Sequence, residues 1–231
     1  MQPIRRLTCA ALLLAATGLA GASPSAGSPD RPKEGADFLT LPDPQPLEGG
    51  KKIEVTEFFA YYCPHCYAFE PQLAAWVKKQ GDNVVLRRVH VSAGGGALAQ
   101  QRLFYTLDAM GLLEQYHAKV FEAMHVKRLR LGSDEQVIDW AAQAGIDRAQ
   151  FIATYNSFGI QARLRRAGAM MDAYGVEYWP MVVVDGRFVT SPSMANPEGS
   201  EAKTEIEQQQ VALQVMDALV EKAKAAKADK K

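Results

Sequence analysis

Apolar residues arrive along this chain in two rhythms, short dense bursts and long helical stripes. Residues 51–60, KKIEVTEFFA, gather β-branched and aromatic side chains and predict a buried strand. PHCYAFEPQLAAWVKKQG follows with Phe69, Leu73, Trp76 and Val77 on one helical face and Gly81 as a stop. Pro71 falls inside that helix and should bend it, because proline removes a backbone donor and crowds the preceding turn. NVVLRRVHV (83–91) is a second strand, and SAGGG (92–96) a loop.

The rhythm then changes. Residues 97–173 carry no strand-like run. Leu103, Phe104, Leu107, Met110 and Leu113 recur at helical spacing, as do Tyr116, Val120, Phe121 and Met124. Gly111, Gly132 and Gly145 punctuate the block, and Ser133 with Gln136 forms a helix-capping pattern. Strand character returns at PMVVV (180–184), turns at Asp185-Gly186 and comes back through RFVT (187–190). SPSMANPEG is a loop. A last helix over 201–227 places Ile206, Leu213, Met216 and Val220 on one face, and the lysine-rich tail should fray. A right-handed crossover lets the two early strands lie parallel, with the hairpin added antiparallel and the helical block inserted over the end of the sheet.

The first residues set the compartment. MQPIRR is basic, residues 7–20 are apolar, and GASPSAGSP brings small residues and prolines. That is the layout of a secretory signal peptide, with the cut expected after Ala22. The apolar core is shorter than the roughly 20 residues of a membrane span. Residues 23–36 read as a flexible lead-in. Cleavage would remove Arg5, Arg6 and Cys9, leaving 24 basic against 26 acidic side chains, a balance of −2. No nucleic-acid or anionic-surface partner follows from that balance. Two cysteines remain, Cys63 and Cys66, in an oxidising compartment.

The pair, in YYCPHCYAF, could be a redox centre, half a metal site or a structural disulfide. A bridge closing so small a loop adds little stability, so the structural role explains it poorly. A zinc site would need distant histidines, and His117, His125 and His90 look like fillers of apolar faces; no metal or cofactor is expected. Cys63 falls at a helix start, where free N–H groups and the dipole favour an anion. Pro64 suits the first helical position, and His65 adds a positive or hydrogen-bonding neighbour. Each of these favours a Cys63 thiolate, while Cys66, one turn deeper, should be less exposed. A thiolate exists only in the reduced form. Each pKa unit of depression therefore raises the reduction potential by about 30 mV, from roughly 1.4 kcal/mol per unit. The Cys63–Cys66 disulfide should thus oxidise other dithiols.

Two further positions are unusual. Strand alternation places Glu57 with Ile53, Val55 and Phe59. It either shuttles the proton of Cys66 or is a rim carboxylate paired with Arg87 or Arg88. Pro180, after VEYW, is either an ordinary trans edge proline or a cis proline facing the cysteines. A cis bond would leave the Trp179 backbone free to pair with an extended peptide. RLRR (163–166) reads as a solvated helix face.

EFFAYYCPHC (57–66), RVHV (88–91) and WPMVVVDGRF (179–188) resemble the periplasmic DsbA-type thiol:disulfide oxidoreductases over about residues 37–228. The resemblance implies an α/β, thioredoxin-like fold with an inserted all-helical domain. Its first part would span 37–96, the insertion 97–173 and its second part 174–228. It implies that Cys63 is the attacked sulfur, Cys66 its buried partner and His65 the tuner of the Cys63 thiolate. It implies a cis Pro180 and a buried acid at Glu57. Arg88 stands where a lysine is familiar and keeps its proton, so relay through it is not expected. Trp179 replaces the usual small or β-branched residue, which would crowd the groove or change substrate choice. The expected partners are reduced exported proteins and a quinone-linked membrane reoxidant of the DsbB kind, with the protein a monomer. A reductase or isomerase of the same fold is the rival enzyme, and a zinc-binding or chaperone module the non-enzymatic one.

Overall fold

The computed structural model describes residues 31–48, 50–195 and 204–228. The signal-peptide reading, the cut after Ala22 and most of the lead-in lie outside them. From residue 31 the lead-in is folded, with Lys33 N–H donating to Asp37 and Gly35 N–H to the Phe38 carbonyl. The elements run β1 (Leu39–Thr40), β2 (Ile53–Phe59), α1 (Pro64–Gln80), β3 (Val84–His90), five helices, then β4 (Met181–Val184), β5 (Phe188–Thr190) and α7 (Glu205–Ala228). The five helices are α2 (Ala97–Ala109), α3 (Leu113–His125), α4 (Asp134–Gln143), α5 (Arg148–Tyr155) and α6 (Phe158–Ala173).

The sheet order is β1-β5-β4-β2-β3. β2 pairs parallel with β3 and antiparallel with β4, as the crossover and hairpin predict. β2 lies between β4 and β3, and all seven of its residues are buried, the polar Glu54, Thr56 and Glu57 included. β1 has no counterpart in the sequence reading. Its two residues become a strand only by pairing with Val189 and Phe188.

Two cores flank the sheet. Ile53, Val55, Phe69, Leu73 and Trp76 pack with Val182, Val184 and the α7 residues Val215, Met216, Leu219 and Val220. Phe58, Phe59 and Tyr61 join the second core, with Leu103, Phe104, Val120 and Phe121 from the helical block. α1 runs on through Pro71 to Gly81, whose positive φ ends it. It is tied to α7 where the Trp76 indole and the Gln80 amide donate to Asp217 Oδ1 at 2.7 and 2.5 Å. The predicted α7 face holds at Met216 and Val220, both fully buried, and is wider than expected. Ala212, Val215, Leu219 and Ala223 are buried, whereas Ile206 is 61% exposed. Arg163 and Arg166 pair with Asp108 and Glu48 at the surface, as a solvated face should.

The hairpin turn depends on glycine. Asp185 (φ 55) and Gly186 (φ 63) are both left-handed, in a three-residue loop that Arg187 N–H closes by donating to the Val184 carbonyl. A Cβ at Gly186 would also lie 2.6 Å from the Gln45 carbonyl oxygen. Gly186→Ala should therefore destabilise the protein by about 1–3 kcal/mol. The denaturant midpoint should fall with an unchanged slope; a variant as stable as the parent would show that neither constraint holds.

Candidate active site

The site is built where β2 ends and α1 begins. Cys63 is the N-cap of α1, with extended backbone (φ −82, ψ 118) and Pro64 at the start of the helix. Its sulfur accepts from the Cys66 N–H at 3.4 Å and lies 3.7 Å from the Trp179 carbonyl oxygen. Both cysteines are free thiols; Cys63 is 5% exposed and Cys66 fully buried. The expected order of exposure is present, but Cys63 is more covered than a helix start alone implies. The Trp179–Pro180 bond is cis, and the Trp179 ring stands edge-on to Tyr62 at 6.1 Å.

The two sulfurs are driven apart electrostatically. The Cys63 thiol is pulled down to about 6 because, as a thiolate, it accepts from the Cys66 thiol. Burial opposes this, but the backbone N–H groups of Cys66 and His65 and the His65 charge add to it. Burial pushes the Cys66 thiol strongly upward, and a Cys63 thiolate and Glu57 push it the same way. His65 is exposed, and its Nδ1 contacts Glu205 Oε1 of α7 at 2.7 Å. That carboxylate raises the imidazole pKa and favours its charged form.

Glu57 is not on a rim. It is 1% exposed and faces Arg88 directly across the β2–β3 ladder. Arg88 Nε lies 3.3 Å from Glu57 Oε2, off the axis of a well-formed hydrogen bond, so the contact is an ion pair only. Arg88 Nη2 donates to Glu70 Oε1 at 2.7 Å. Arg87 turns the other way, toward Glu48 and Glu54. Burial pushes Glu57 up to about 8, more than Arg88 pulls it down.

The histidines set aside as fillers prove to be contacts of one residue. Tyr61, two positions before Cys63, donates its N–H to His90 Nε2 at 3.1 Å. Its carbonyl accepts from His125 Nε2 at 2.7 Å, and its hydroxyl meets His117 Nδ1 at 2.9 Å. His90 gives its Nδ1 hydrogen to the Val91 carbonyl and stays neutral, burial lowering it to about 3. His125 also stacks on Tyr67 at 4.7 Å. β3 and α3 together thus fix the turn that presents Cys63. Glu70 was equally unmarked in the sequence, although its place four residues after Cys66 puts it one turn deeper on the same face.

A family model of the DSBA-like thioredoxin domain matches residues 54–199. The thiol:disulfide interchange protein DsbA of Burkholderia cepacia is 39% identical over 182 residues, covering 78% of this chain and 84% of that protein. The protein of the same name from Pseudomonas aeruginosa PAO1 is 34% identical over 216 residues, 93% of this chain and 97% of its own. The crystal structure of Pseudomonas aeruginosa DsbA superposes with a TM-score of 0.75 at 34% identity, covering 84% of this chain and 95% of that one. Oxidoreductase DsbA from Xylella fastidiosa gives 0.73 at 27% identity, covering 84% of this chain and 98% of that one. With a parallel β2–β3 pair, an antiparallel hairpin, helices inserted between them and a CPHC pair opening α1, the chain belongs to the DsbA-like family of thioredoxin-fold thiol:disulfide oxidoreductases.

Proposed function

We propose that this chain is the oxidising partner in thiol exchange with reduced exported proteins, working in the periplasm after cleavage near Ala22. The observation that carries the direction is the contrast between the sulfurs, one stabilised as a thiolate and one held as a thiol. In the oxidised protein a substrate thiolate attacks Cys63 Sγ, and the Cys63–Cys66 bond breaks with its electron pair on Cys66. Cys66 cannot remain an anion in its buried site and takes a proton, which Glu57, protonated at neutral pH, supplies. A second substrate thiolate then attacks the substrate sulfur of the mixed disulfide. Cys63 departs as a thiolate, a good leaving group because its anion is stabilised. The substrate has lost two electrons and the cysteine pair has gained them.

The other residues support this sequence. Pro64 opens the helix whose N-terminus faces Cys63, and His65 adds positive charge. Trp179 and Pro180 form the wall against which an extended substrate lies, its backbone pairing beside Cys63. Trp179 narrows that groove and selects against bulky neighbours of the substrate cysteine. Residues 37–96 and 174–228 form the thioredoxin unit and 97–173 an inserted helical domain. We read the protein as a monomer, returned to the disulfide by a quinone-linked membrane protein of the DsbB kind.

Equilibration of the purified protein with glutathione tests the direction. The potential should lie well above that of thioredoxin, about −270 mV; a value near thioredoxin's would mean a reductase instead. The second consequence is pH-dependent stability. The Cys63 pKa is depressed on folding, so its thiolate stabilises the reduced fold fully above the unfolded value, 9.0, and the effect is lost as pH falls through about 6. Denaturant unfolding should therefore find the reduced form gaining on the oxidised form between those limits. His65→Ser should raise the lower limit. A stability difference flat across this range would contradict the proposed poise.

A further inference from the structure

Behind the cysteines runs a chain of polar groups that ends in the helical block. Glu57 (β2) faces Arg88 (β3), Arg88 bonds Glu70 (α1), and Glu70 Oε2 lies 3.2 Å from His117 Nε2 (α3). His117 Nδ1 closes the chain on the Tyr61 hydroxyl. Glu57 and His117, at its two ends, are 1% and 5% exposed. The other titratable groups acting on it are Cys63 and Cys66, which couple to Glu57, and His90, whose charge couples to His117.

The charge count is unequal. Two carboxylates share one guanidinium, and arginine keeps its proton. Two buried anions against one cation favour retention of a single proton between them. What decides its place is the second partner of each carboxylate. Burial keeps the Tyr61 hydroxyl protonated, so that O–H donates to His117 Nδ1. Burial also keeps the imidazole neutral, which leaves its one hydrogen on Nε2, toward Glu70. Glu70 Oε2 and His117 Nε2 face one another at 3.2 Å, both buried and neither in a well-formed hydrogen bond, so theirs is a polar contact of the same kind as that between Arg88 Nε and Glu57 Oε2. Burial raises the Glu70 carboxyl, but His117 and Arg88 together outweigh it and hold Glu70 as the anion. Glu70 thus has Arg88 as a hydrogen-bond donor and His117 as a second contact, whereas among the described residues Glu57 faces only Arg88, and the Glu70 charge pushes it further toward its protonated form.

We propose that His117 is a positioning residue for the thiol chemistry, steering the proton shared by Glu57 and Glu70 onto Glu57, the carboxyl that acts on the cysteine pair. The helical domain thereby sets the proton supply of a reaction carried out on the thioredoxin unit. This rests on Glu57 as the proton source of Cys66, proposed above. Without the His117 hydrogen, Glu70 becomes the easier carboxyl to protonate. Glu57 is then ionised near neutral pH and has nothing to give when Cys66 leaves.

Infrared spectroscopy of the buried protonated carboxyl, with the pH profile of disulfide exchange between the oxidised protein and a thiol peptide, tests the assignment. His117→Asn keeps an acceptor for Tyr61 but withdraws the hydrogen from Glu70; His117→Gln restores a donor toward Glu70. In the parent, Glu57→Gln should abolish the carboxyl band and the basic limb of the profile near pH 8. In H117N the band should instead vanish with Glu70→Gln, and the limb should move down by about one pH unit or more. H117Q should return both toward the parent. A merely structural clamp on Tyr61 would be rescued by H117N, and parental behaviour of that variant overturns the proposal. If Glu57→Gln leaves band and limb untouched in the parent, the Glu57 reading itself fails, whatever the His117 variants do.

Discussion

One backbone event controls the chemistry of this protein: α1 starts at Cys63. An N-cap residue sits beside N–H groups that the helix cannot pair internally, and its side chain is their natural acceptor. Here that side chain is a sulfur, so a position filled elsewhere by serine or aspartate becomes an anion-favouring thiol. Proline at the first helical residue fixes the start, and the second thiol, one turn on, is placed to donate to the first. Cys66 faces the core, where burial outweighs whatever favours its anion. In the proposed exchange the same turn of helix thus supplies a stable leaving group and a sulfur that must be protonated.

That geometry is only as good as the turn before it. The link from β2 to α1 is short, and Tyr61 within it is held at its N–H, carbonyl and hydroxyl by His90, His125 and His117. The rings of Phe59, Phe104 and Phe121 pack around these contacts at 5.0–6.3 Å. The helical insertion is therefore part of the active site's support. It fixes the residue two positions ahead of the reactive sulfur while leaving the Trp179–Pro180 side of Cys63 to the sheet.

What could be read from sequence was what is local. Strand β2, helix α1 and the Asp185-Gly186 hairpin are specified by neighbouring residues, and so is the place of CPHC at a helix start. β1 was hidden because Leu39 and Thr40 are made a strand by a partner far along the chain. On α7 the expected face holds at Met216 and Val220 but not at Ile206, which lies at the helix start, ahead of the buried stretch from Ala212 to Ala223. The histidines looked like apolar filler because each lies beside aromatic rings, and their common partner is on another element. Glu57 was the intermediate case. Strand alternation marked it as anomalous, while its burial, its pairing with Arg88 and the link to Glu70 and His117 needed the fold.

The most direct test of the helix-start claim is a pH titration of the reduced protein, following thiolate absorbance and the rate of alkylation at Cys63. One thiol should ionise near 6, and Cys66→Ala, which deletes the donor thiol, should move that midpoint upward without returning it to the ordinary value of 9.0, because the backbone N–H groups and His65 remain. A reduced protein whose first thiol ionises at an ordinary value would contradict the claim that the start of α1 stabilises the Cys63 anion.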